Sequence, residues 1–312
     1  MVNHGTPMQS NHVKIWQTSM KRRTMKKYCN NNCTVFHGDV LEGFNKIPDS
    51  TVDLVFADPP YNIGKDFNGI KDEYQEDEYI EWMEEWINQI NRVLSPTGSV
   101  YLMNSTQNFA HMDIMSRKYF KILSRIVWSY DSSGVQAKTK FGSSWEPILH
   151  MVKDEKKYTF NSKDILVEAK TGAKRKLIDY RKTPPQPYNT QKVPTNVWEI
   201  PRVRFKMDEY ENHPTQKPHK LLERVILASS NPGDTVLDPF CGSFSTGYTA
   251  LHLDRKFIGF ELNEDYIKIG IRRLNLPSDF SNHELEKRKE RKTKNKSKKD
   301  HTDTSATPSL FD

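Results

Sequence analysis

Cysteines and long apolar runs are scarce in this sequence, and their scarcity excludes several classes of protein. Only three of the 312 residues are cysteine (Cys29, Cys33 and Cys241), too few for a disulfide framework and typical of the cytosol. No stretch approaches the roughly 18 uncharged apolar residues that a membrane span requires. The basic N-terminal residues are followed by no apolar run of the length found in secretory signals. We therefore expect a cytoplasmic protein.

The signatures of several kinds of chemistry are also missing. There is no GxxxxGK[ST] phosphate cradle, which disfavours a nucleoside triphosphatase. Cys29 and Cys33 have only His37 nearby and no second pair of ligands, so no metal site is expected. No arrangement of Ser, His and Asp residues stands out as a nucleophile with its base.

Positive charge is in excess, but it is confined to zones. The chain has 47 Lys and Arg against 40 Asp and Glu, a net charge of +7. Residues 1–38 hold six Lys and Arg and no acid, residues 153–206 hold fourteen against six, and residues 287–299 hold nine against one. In 153–206 the cations alternate with aromatic residues and turn formers, a pattern that favours a nucleic-acid surface over a simple solvated face.

The hydrophobic pattern predicts an α/β protein. Stretches at helical spacing, 78–94, 217–229 and 265–274, lie between short runs of apolar and β-branched residues. Those runs are predicted to be seven buried strands, at residues 34–37, 52–57, 99–103, 122–128, 148–152, 235–238 and 257–261. Seven strands alternating with helices predict a doubly wound, mostly parallel, seven-stranded sheet.

Changes in composition divide the chain into five expected segments. One of them, residues 161–206, holds five of the seventeen prolines and few apolar residues in register, and is predicted to be a functional insertion. The segments are a basic N-terminal extension (1–30), one half of the main domain (31–160), the basic insertion (161–206), the second half (207–280) and a basic, disordered tail (281–312).

The tetrapeptide Asp58-Pro59-Pro60-Tyr61 directly follows the strand predicted at 52–57. Ligands of doubly wound sheets bind at the carboxyl ends of the strands. Two prolines hold the backbone and remove two donors, so an Asp carboxylate and a nearby carbonyl could together accept both hydrogens of an exocyclic amine. The tyrosine ring offers a surface on which a base can stack. The alternative is a structural turn with a core tyrosine.

A second motif, DPFCGSFSTG, starts at Asp238, where another predicted strand ends. Gly242 and Ser243 allow the backbone to approach a ligand closely, and a helix N-terminus follows. Glu261 ends the next strand, 23 residues after Asp238, which is the spacing at which an acid meets ribose hydroxyls in nucleotide-binding units. Together these features favour a nucleoside ligand over a generic strand–turn–helix.

Two further residues are candidates on weaker grounds. Lys217, in the segment HPTQKP at a predicted helix start, could face a carboxylate ligand. Asp39 ends the first predicted strand and could accept a hydrogen bond from an adenine amine. Both patterns also occur as purely structural turns.

In this order, the motifs resemble those of the β-class S-adenosylmethionine-dependent DNA amino-methyltransferases. The resemblance rests on DPPY, a basic insertion, HPTQKP, DPF-x-GS and FIGFE, covers about residues 33–276, and is strongest to bacterial adenine enzymes. It implies a methyltransferase sheet, S-adenosyl-L-methionine as cofactor, double-stranded DNA as substrate and residues 161–206 as the target-recognition insertion. DPPY, where cytosine-N4 enzymes commonly have SPPY, implies the N6 amine of a flipped-out adenine.

The resemblance also implies roles for individual residues. Asp58 and the carbonyl of Pro59 would hold the amine, with Pro60 bracing the turn and Tyr61 stacked on the base. The cofactor would be bound by Asp39, Lys217, Asp238, Phe240, Gly242, Ser243 and Glu261. DNA would be contacted by Lys174, Arg175, Arg181, Arg202 and Arg204.

Some alternatives stay open on the sequence alone. They are cytosine-N4 methylation, RNA methylation, and a non-catalytic DNA-binding protein with a degenerate methyltransferase fold. The last is favoured by Phe244, which stands where the family commonly has a glycine in GSGT. The resemblance implies a homodimer, and the terminal residues Pro308–Asp312 are partly similar to a bacterial sliding-clamp-binding peptide, although the expected glutamine is missing.

Overall fold

The fold is built on a nine-stranded sheet. The computed structural model describes residues 25–69, 72–131, 138–139, 141–169 and 175–285. Within these residues there are also two small two-stranded sheets, both formed by the insertion. The expectations for the N-terminal 24 residues, for Lys174 and for the basic tail beyond residue 285 lie outside the described residues.

The helices and strands alternate through the first and last thirds of the chain. The strands are β1 (Lys26–Cys29), β2 (Cys33–His37), β3 (Val52–Ala57), β4 (Leu94–Met103), β5 (Lys121–Ser129), β6 (Trp145–Val152), β7 (Val167–Glu168), β8 (Ile178–Asp179), β9 (Gln186–Pro187), β10 (Gln191–Lys192), β11 (Val197–Glu199), β12 (Thr235–Asp238) and β13 (Lys256–Glu261). The helices are α1 (Val40–Phe44), α2 (Glu76–Val93), α3 (Phe109–Ser116), α4 (His219–Ser229), α5 (Ser245–His252) and α6 (Glu264–Leu274).

The strands of the large sheet follow the order β1-β2-β13-β12-β3-β4-β6-β5-β11. The five strands from β2 to β4 run parallel to one another. Strand β6 runs antiparallel to both β4 and β5, and β11 pairs with β5 in parallel. The mostly parallel α/β sheet expected from the sequence is therefore present.

All seven predicted strands lie in this sheet, but the predicted count of seven is wrong because β1 and β11 extend it at its two edges. Both edge strands lack the apolar pattern of a buried strand. In β1 only Tyr28 is buried, and in β11 only Trp198. Accordingly, residues 26–29 are part of the sheet rather than of a loose extension.

Two apolar layers cover the faces of the sheet. Successive residues of β3 alternate between them: Leu54 and Phe56 pack toward the layer of α4, α5 and α6, whereas Val55 and Ala57 pack toward the layer of α1, α2 and α3. This alternation follows from the two-residue period of a strand. Because both faces are covered, the central strands read as continuous apolar runs, and this is why β3 was predictable to the residue.

The sheet's topology brings many loops to one edge. Parallel strands β2, β13, β12, β3 and β4 all end at this edge, as does β5. Strand β6 runs the opposite way, so it is its first residues that lie there. None of the helices among the described residues is both long and apolar enough to cross a membrane.

Candidate active site

A cavity of about 480 Å³ opens at the carboxyl edge of the sheet. Four acids that end or follow adjacent strands line it: Asp39 after β2, Glu261 of β13, Asp238 of β12 and Asp58 after β3. Neighbouring strands lie about 4.8 Å apart, so the four acids form a row along the edge. The predicted site residues that line this cavity are Asp39, Asp58, Pro59, Pro60, Tyr61, Arg202, Arg204, Lys217, Asp238, Phe240, Gly242, Ser243 and Glu261.

Glu261 and Gly242 form a tight cradle on one side of the cavity. The Gly242 N–H donates to Glu261 Oε2 at 2.8 Å, and the Asn263 N–H donates to Oε1 at 2.7 Å. Gly242 has a φ of +51°, and a Cβ there would lie 2.7 Å from His213 Nε2. Both the left-handed backbone and the close approach of the His213 side chain therefore favour glycine at this position.

The two carboxyl groups on this side of the cavity have pKa values near 7. Burial raises the pKa of Asp238 to about 7, although the Thr246 side chain and the Phe240 N–H, which donates at 2.9 Å, both oppose that rise. Burial likewise raises the pKa of Glu261 to about 7, against its two bonds from backbone amides. Both groups are thus acceptors that a ligand hydroxyl or amine can reach inside a low-dielectric cavity.

Asp39 has a structural contact in addition to its place in the cavity. Its Oδ1 accepts hydrogen bonds from the N–H groups of Leu41 at 2.9 Å and Glu42 at 3.4 Å, so it is the N-cap of α1. Burial raises the pKa of this carboxyl. Its predicted contact with an adenine amine stays a prediction.

An aromatic wall closes the same side of the cavity. The Phe240 ring lies 5.6 Å from the ring of Trp82 and 5.2 Å from that of Trp86, and Phe240 and Trp82 both face the cavity. Both tryptophans belong to α2, the helix that the sequence predicts at residues 78–94. This wall offers an adenine-sized ligand an apolar face.

Phe244 does not block the cavity. It adopts the left-handed conformation at φ +59°, which a glycine would take without strain, and its side chain is fully buried. The ring packs under α6, where a Cβ on Gly270 would lie 2.6 Å from it. The departure from the family's glycine is thus accommodated within the core and leaves the loop open to ligand.

The prolines on the other side of the cavity leave one carbonyl available. The Pro60 carbonyl accepts a hydrogen bond from the Tyr79 hydroxyl at 2.8 Å, and the Tyr61 carbonyl accepts one from Asn108 Nδ2 at 2.7 Å. Within the part of the chain that the structure describes, no donor is bonded to the Pro59 carbonyl. Pro59 was the carbonyl predicted to receive an amine.

Asp58 is held by two donors. The Tyr61 hydroxyl donates to Asp58 Oδ1 at 2.6 Å, and Lys217 Nζ lies 2.5 Å from Oδ2. The Lys217 side chain is only 7% exposed and its ammonium lies about 6 Å from the rings of Tyr61 (5.8 Å) and Trp128 (5.9 Å). Lys217 therefore contacts the DPPY motif, just before α4, and its predicted contact with a cofactor stays a prediction.

Glu146 is a second carboxylate of this group, and it was not predicted from the sequence. Its Oε2 lies 3.0 Å from the Tyr61 hydroxyl and 3.7 Å from Lys217 Nζ, while its Oε1 accepts a hydrogen bond from the Tyr130 hydroxyl at 3.0 Å. Residue 146 is the second of β6, so only the antiparallel direction of that strand brings it to the site. A signal was present, since a glutamate at the start of an otherwise apolar strand is costly to bury.

The charges of this group are strongly coupled. Burial raises the pKa of Asp58 and Glu146 adds to the rise, against the lowering by Lys217. Burial disfavours the Lys217 ammonium, but Asp58 and Glu146 outweigh it and raise its pKa. His213 nearby is neutral, because burial, Lys217 and Lys65 lower its pKa to about 3. One buried ammonium thus lies between two half-buried carboxylates.

The predicted DNA-binding residues divide into two sets. Arg202 lies 4.3 Å above the Tyr130 ring, and Arg204 donates to the Asp131 carbonyl at 3.1 Å, so both are held at the cavity. Arg181 forms a bidentate pair with Asp179, and Arg175 is exposed away from the cavity lining. The fifth predicted residue, Lys174, is outside the described residues.

Among the described residues, no group of three or more His, Cys, Asp or Glu side chains is arranged to hold a metal ion. Cys29 is exposed, whereas Cys33 and Cys241 are buried, and all three are free thiols.

Comparisons with known proteins point in one direction. A family model described as DNA methylase matches residues 52–272. The DNA adenine methyltransferase YhdJ of Escherichia coli is 62% identical over 273 residues, which cover 88% of this chain and 93% of that protein. The type II methyltransferase M.HpaI of Haemophilus parainfluenzae is 34% identical over 249 residues, covering 78% and 74% of the two chains.

Solved structures agree with the fold. The cytosine-N4-specific PvuII DNA methyltransferase superposes with a TM-score of 0.63 at 20% identity, covering 83% of this chain and 93% of that one. A complex of M1.HpyAVI with SAM gives a TM-score of 0.53 at 24% identity, covering 78% of this chain and all of that one. At these identities the likeness concerns the fold alone.

Proposed function

Because this chain belongs to the DNA methylase family, we propose that it is a DNA methyltransferase that transfers the methyl group of S-adenosylmethionine to the N6 amine of adenine in duplex DNA. The observation that carries the proposal is that Asp58, Pro59 and Tyr61 share one cavity with the cradle of Gly242 and Glu261. The relative at 62% identity is named an adenine enzyme, which favours adenine over cytosine. The family expected from the sequence is confirmed.

The chemistry of the cradle fits S-adenosylmethionine. Glu261 and Asp238 supply carboxylates for ribose hydroxyls, and Gly242 lets the backbone come close, since a Cβ at that position would collide with His213. Phe240 and Trp82 supply an apolar wall for the adenine ring of the cofactor. When bound, S-adenosylmethionine supplies an electrophilic sulfonium methyl. That no metal takes part is a prediction from the sequence.

The residues of the DPPY motif orient the target amine. Adenine N6 lies within the base stack, so the nucleotide has to be flipped out at a cost of a few kcal/mol. Asp58 and the Pro59 carbonyl accept the two hydrogens of the amine, and the nitrogen lone pair is thereby directed away from the ring plane. Tyr61 offers its ring face to the flipped base. The barrier is lowered by positioning and by electrostatic stabilisation of the charge that develops on nitrogen.

DNA is held by the basic insertion, residues 161–206, which is the target-recognition region. Arg202 and Arg204 at the cavity contact the backbone around the flipped nucleotide, and exposed cations such as Arg175 contact phosphates further out. Lys174 and the run 287–299 add positive charge that DNA attracts in a salt-dependent way. The protein acts in the cytoplasm, associated with DNA. The homodimer and the clamp contact of Pro308–Asp312 stay predictions.

The base that is methylated is the direct test. The purified protein is incubated with unmethylated duplex DNA and S-adenosylmethionine, and the DNA is then digested to nucleosides and separated by mass. We expect to find N6-methyl-2′-deoxyadenosine among the nucleosides. N4-methylcytosine instead would identify the cytosine-N4 alternative, and methylation of transcripts but not of duplex DNA would identify an RNA enzyme.

A further inference from the structure

Each carboxylate oxygen of Asp58 has a donor among the protein's own side chains. Oδ1 accepts from the Tyr61 hydroxyl at 2.6 Å and Oδ2 is paired with Lys217 Nζ at 2.5 Å. A charge-assisted hydrogen bond of this kind is among the stronger ones in proteins. An ionised carboxylate oxygen keeps a second lone pair, but the Lys217 ammonium draws on the negative charge of Asp58, so Asp58 becomes a stronger acceptor for an incoming amine when one of these donors weakens its hold. A buried donor that lost its acceptor without a replacement would pay the full cost of desolvation.

Glu146 is the replacement within reach. Its Oε2 lies 3.0 Å from the Tyr61 hydroxyl and 3.7 Å from Lys217 Nζ, so a single oxygen faces both donors of Asp58. The Glu146 side chain is 18% exposed, and the Tyr130 hydroxyl donates a hydrogen bond to its other oxygen, Oε1, at 3.0 Å. The carboxylate is therefore already fixed in the position that a second acceptor needs.

We propose that Glu146 is a positioning residue of methyl transfer: it draws Lys217 and Tyr61 from Asp58, so that Asp58 becomes a stronger acceptor for the target amine. The inference rests on the proposed function and adds a residue and a step to it. The movement is small, because Lys217 Nζ already lies between the two carboxylates. No bond is made or broken in this exchange of partners, and the ammonium stays paired throughout.

Charge is what makes the exchange favourable. A neutral amide in place of Glu146 would still accept a hydrogen bond, but it would not attract the Lys217 ammonium away from Asp58. The charged groups that face Asp58 are Lys217, Glu146 and, further away, Lys65 and Asp238. Arg202 lies 4.3 Å above the ring of Tyr130, whose hydroxyl donates to Glu146 Oε1.

The test compares Glu146→Gln with Glu155→Gln, the same change at an exposed position just after β6. For the wild type and both variants, kcat and KM are measured with duplex DNA and S-adenosylmethionine. We expect Glu146→Gln to lower kcat by about 100-fold, the lower end of the range for losing one preorganised electrostatic group. KM for DNA and cofactor should stay within about threefold, and Glu155→Gln should match the wild type. An unchanged kcat in Glu146→Gln overturns the proposal.

A pH profile separates this role from a merely structural one. Asp58 has to be ionised to accept the amine, so kcat falls on the acidic side. The negative charge of Glu146 raises the pKa of Asp58, and removing it lowers that pKa. The acidic limb of kcat in Glu146→Gln should therefore move to lower pH. A loss of kcat with an unmoved limb would mean that Glu146 only supports the fold, and would overturn the proposal.

The conservative variant Glu146→Asp keeps the test decisive if the Gln variant does not fold, as judged by its thermal melt and cofactor binding. Aspartate retains the charge, so it should restore kcat to within about tenfold of the wild type, with the wild-type acidic limb. A larger loss in a folded Glu146→Asp overturns the proposal. Failure of the proposed function is distinguishable, because there the wild-type protein itself would leave adenine unmethylated.

Discussion

At the scale of single residues, the carboxylates of the cavity differ in the hydrogen-bond donors that surround them. Glu261 is bonded to two backbone amides and Asp238 to one, and burial brings both pKa values to about 7. Asp58 faces an ammonium and a phenol instead. The cofactor side of the cavity is thus sensitive to pH near neutrality.

We predict that cofactor affinity rises with pH. A hydroxyl of the ribose donates a stronger hydrogen bond to Glu261 when the carboxyl is ionised, and with a pKa of about 7 most molecules are protonated at pH 6 and ionised at pH 8. The dissociation constant of S-adenosylmethionine, measured by calorimetry, should therefore fall by about tenfold between these pH values. Glu261→Gln should bind more weakly and with a flatter pH dependence. An equal pH dependence in both proteins would contradict the assignment of Glu261.

Residues that end a parallel strand could be predicted, and residues brought in from elsewhere could not. Asp58, Asp238 and Glu261 each follow or end an apolar run. Because ligands of such sheets bind at the carboxyl ends of the strands, these three residues could be predicted as site residues. Glu146 and the partners of Lys217 depend on strand direction and on packing between segments 71 positions or more apart along the chain. No local pattern carries that information.

At the scale of elements, α5 and α6 show how the departure from the family's glycine is absorbed. Phe244 begins α5 with a left-handed backbone, and its ring occupies the space over Gly270 of α6. Strands β1 and β11 illustrate the opposite case. Each buries a single aromatic side chain and owes its place in the sheet to pairing with a neighbour, so neither could be predicted from hydrophobic periodicity.

We predict that Phe244 and Gly270 are energetically coupled. Phe244→Ala removes a fully buried ring and should cost about 3–5 kcal/mol of unfolding free energy. Gly270→Ala would place a Cβ 2.6 Å from that ring and should cost about 1–3 kcal/mol through overpacking. In the double variant, the cost of the added methyl should largely disappear. Urea denaturation of the four proteins measures this, and strictly additive costs would contradict the packing described here.

At the scale of the whole molecule, the most basic zone of the domain and the DPPY motif lie in different parts of the chain. The basic zone 153–206 carries fourteen Lys and Arg against six Asp and Glu, whereas residues 39–61, with the catalytic motif, carry one against five. The sheet joins the two zones, because β11 at the end of the insertion pairs with β5 and places Arg202 at the cavity. Under the proposed function, DNA held by the insertion would therefore meet the row of acids at the carboxyl edge.

The central claim is that Asp58 orients the target amine for methyl transfer, whereas the cradle of Gly242 and Glu261 in the same cavity binds the cofactor. Its most direct test is methyl transfer to duplex DNA by Asp58→Ala and Asp58→Asn, with cofactor binding measured on the same samples and Asp77→Asn, an exposed change on α2, as the control. We predict that both Asp58 variants lose at least about 1,000-fold in kcat, while they bind S-adenosylmethionine within a few-fold of the wild type. Methyl transfer at the wild-type rate by either Asp58 variant would contradict the account.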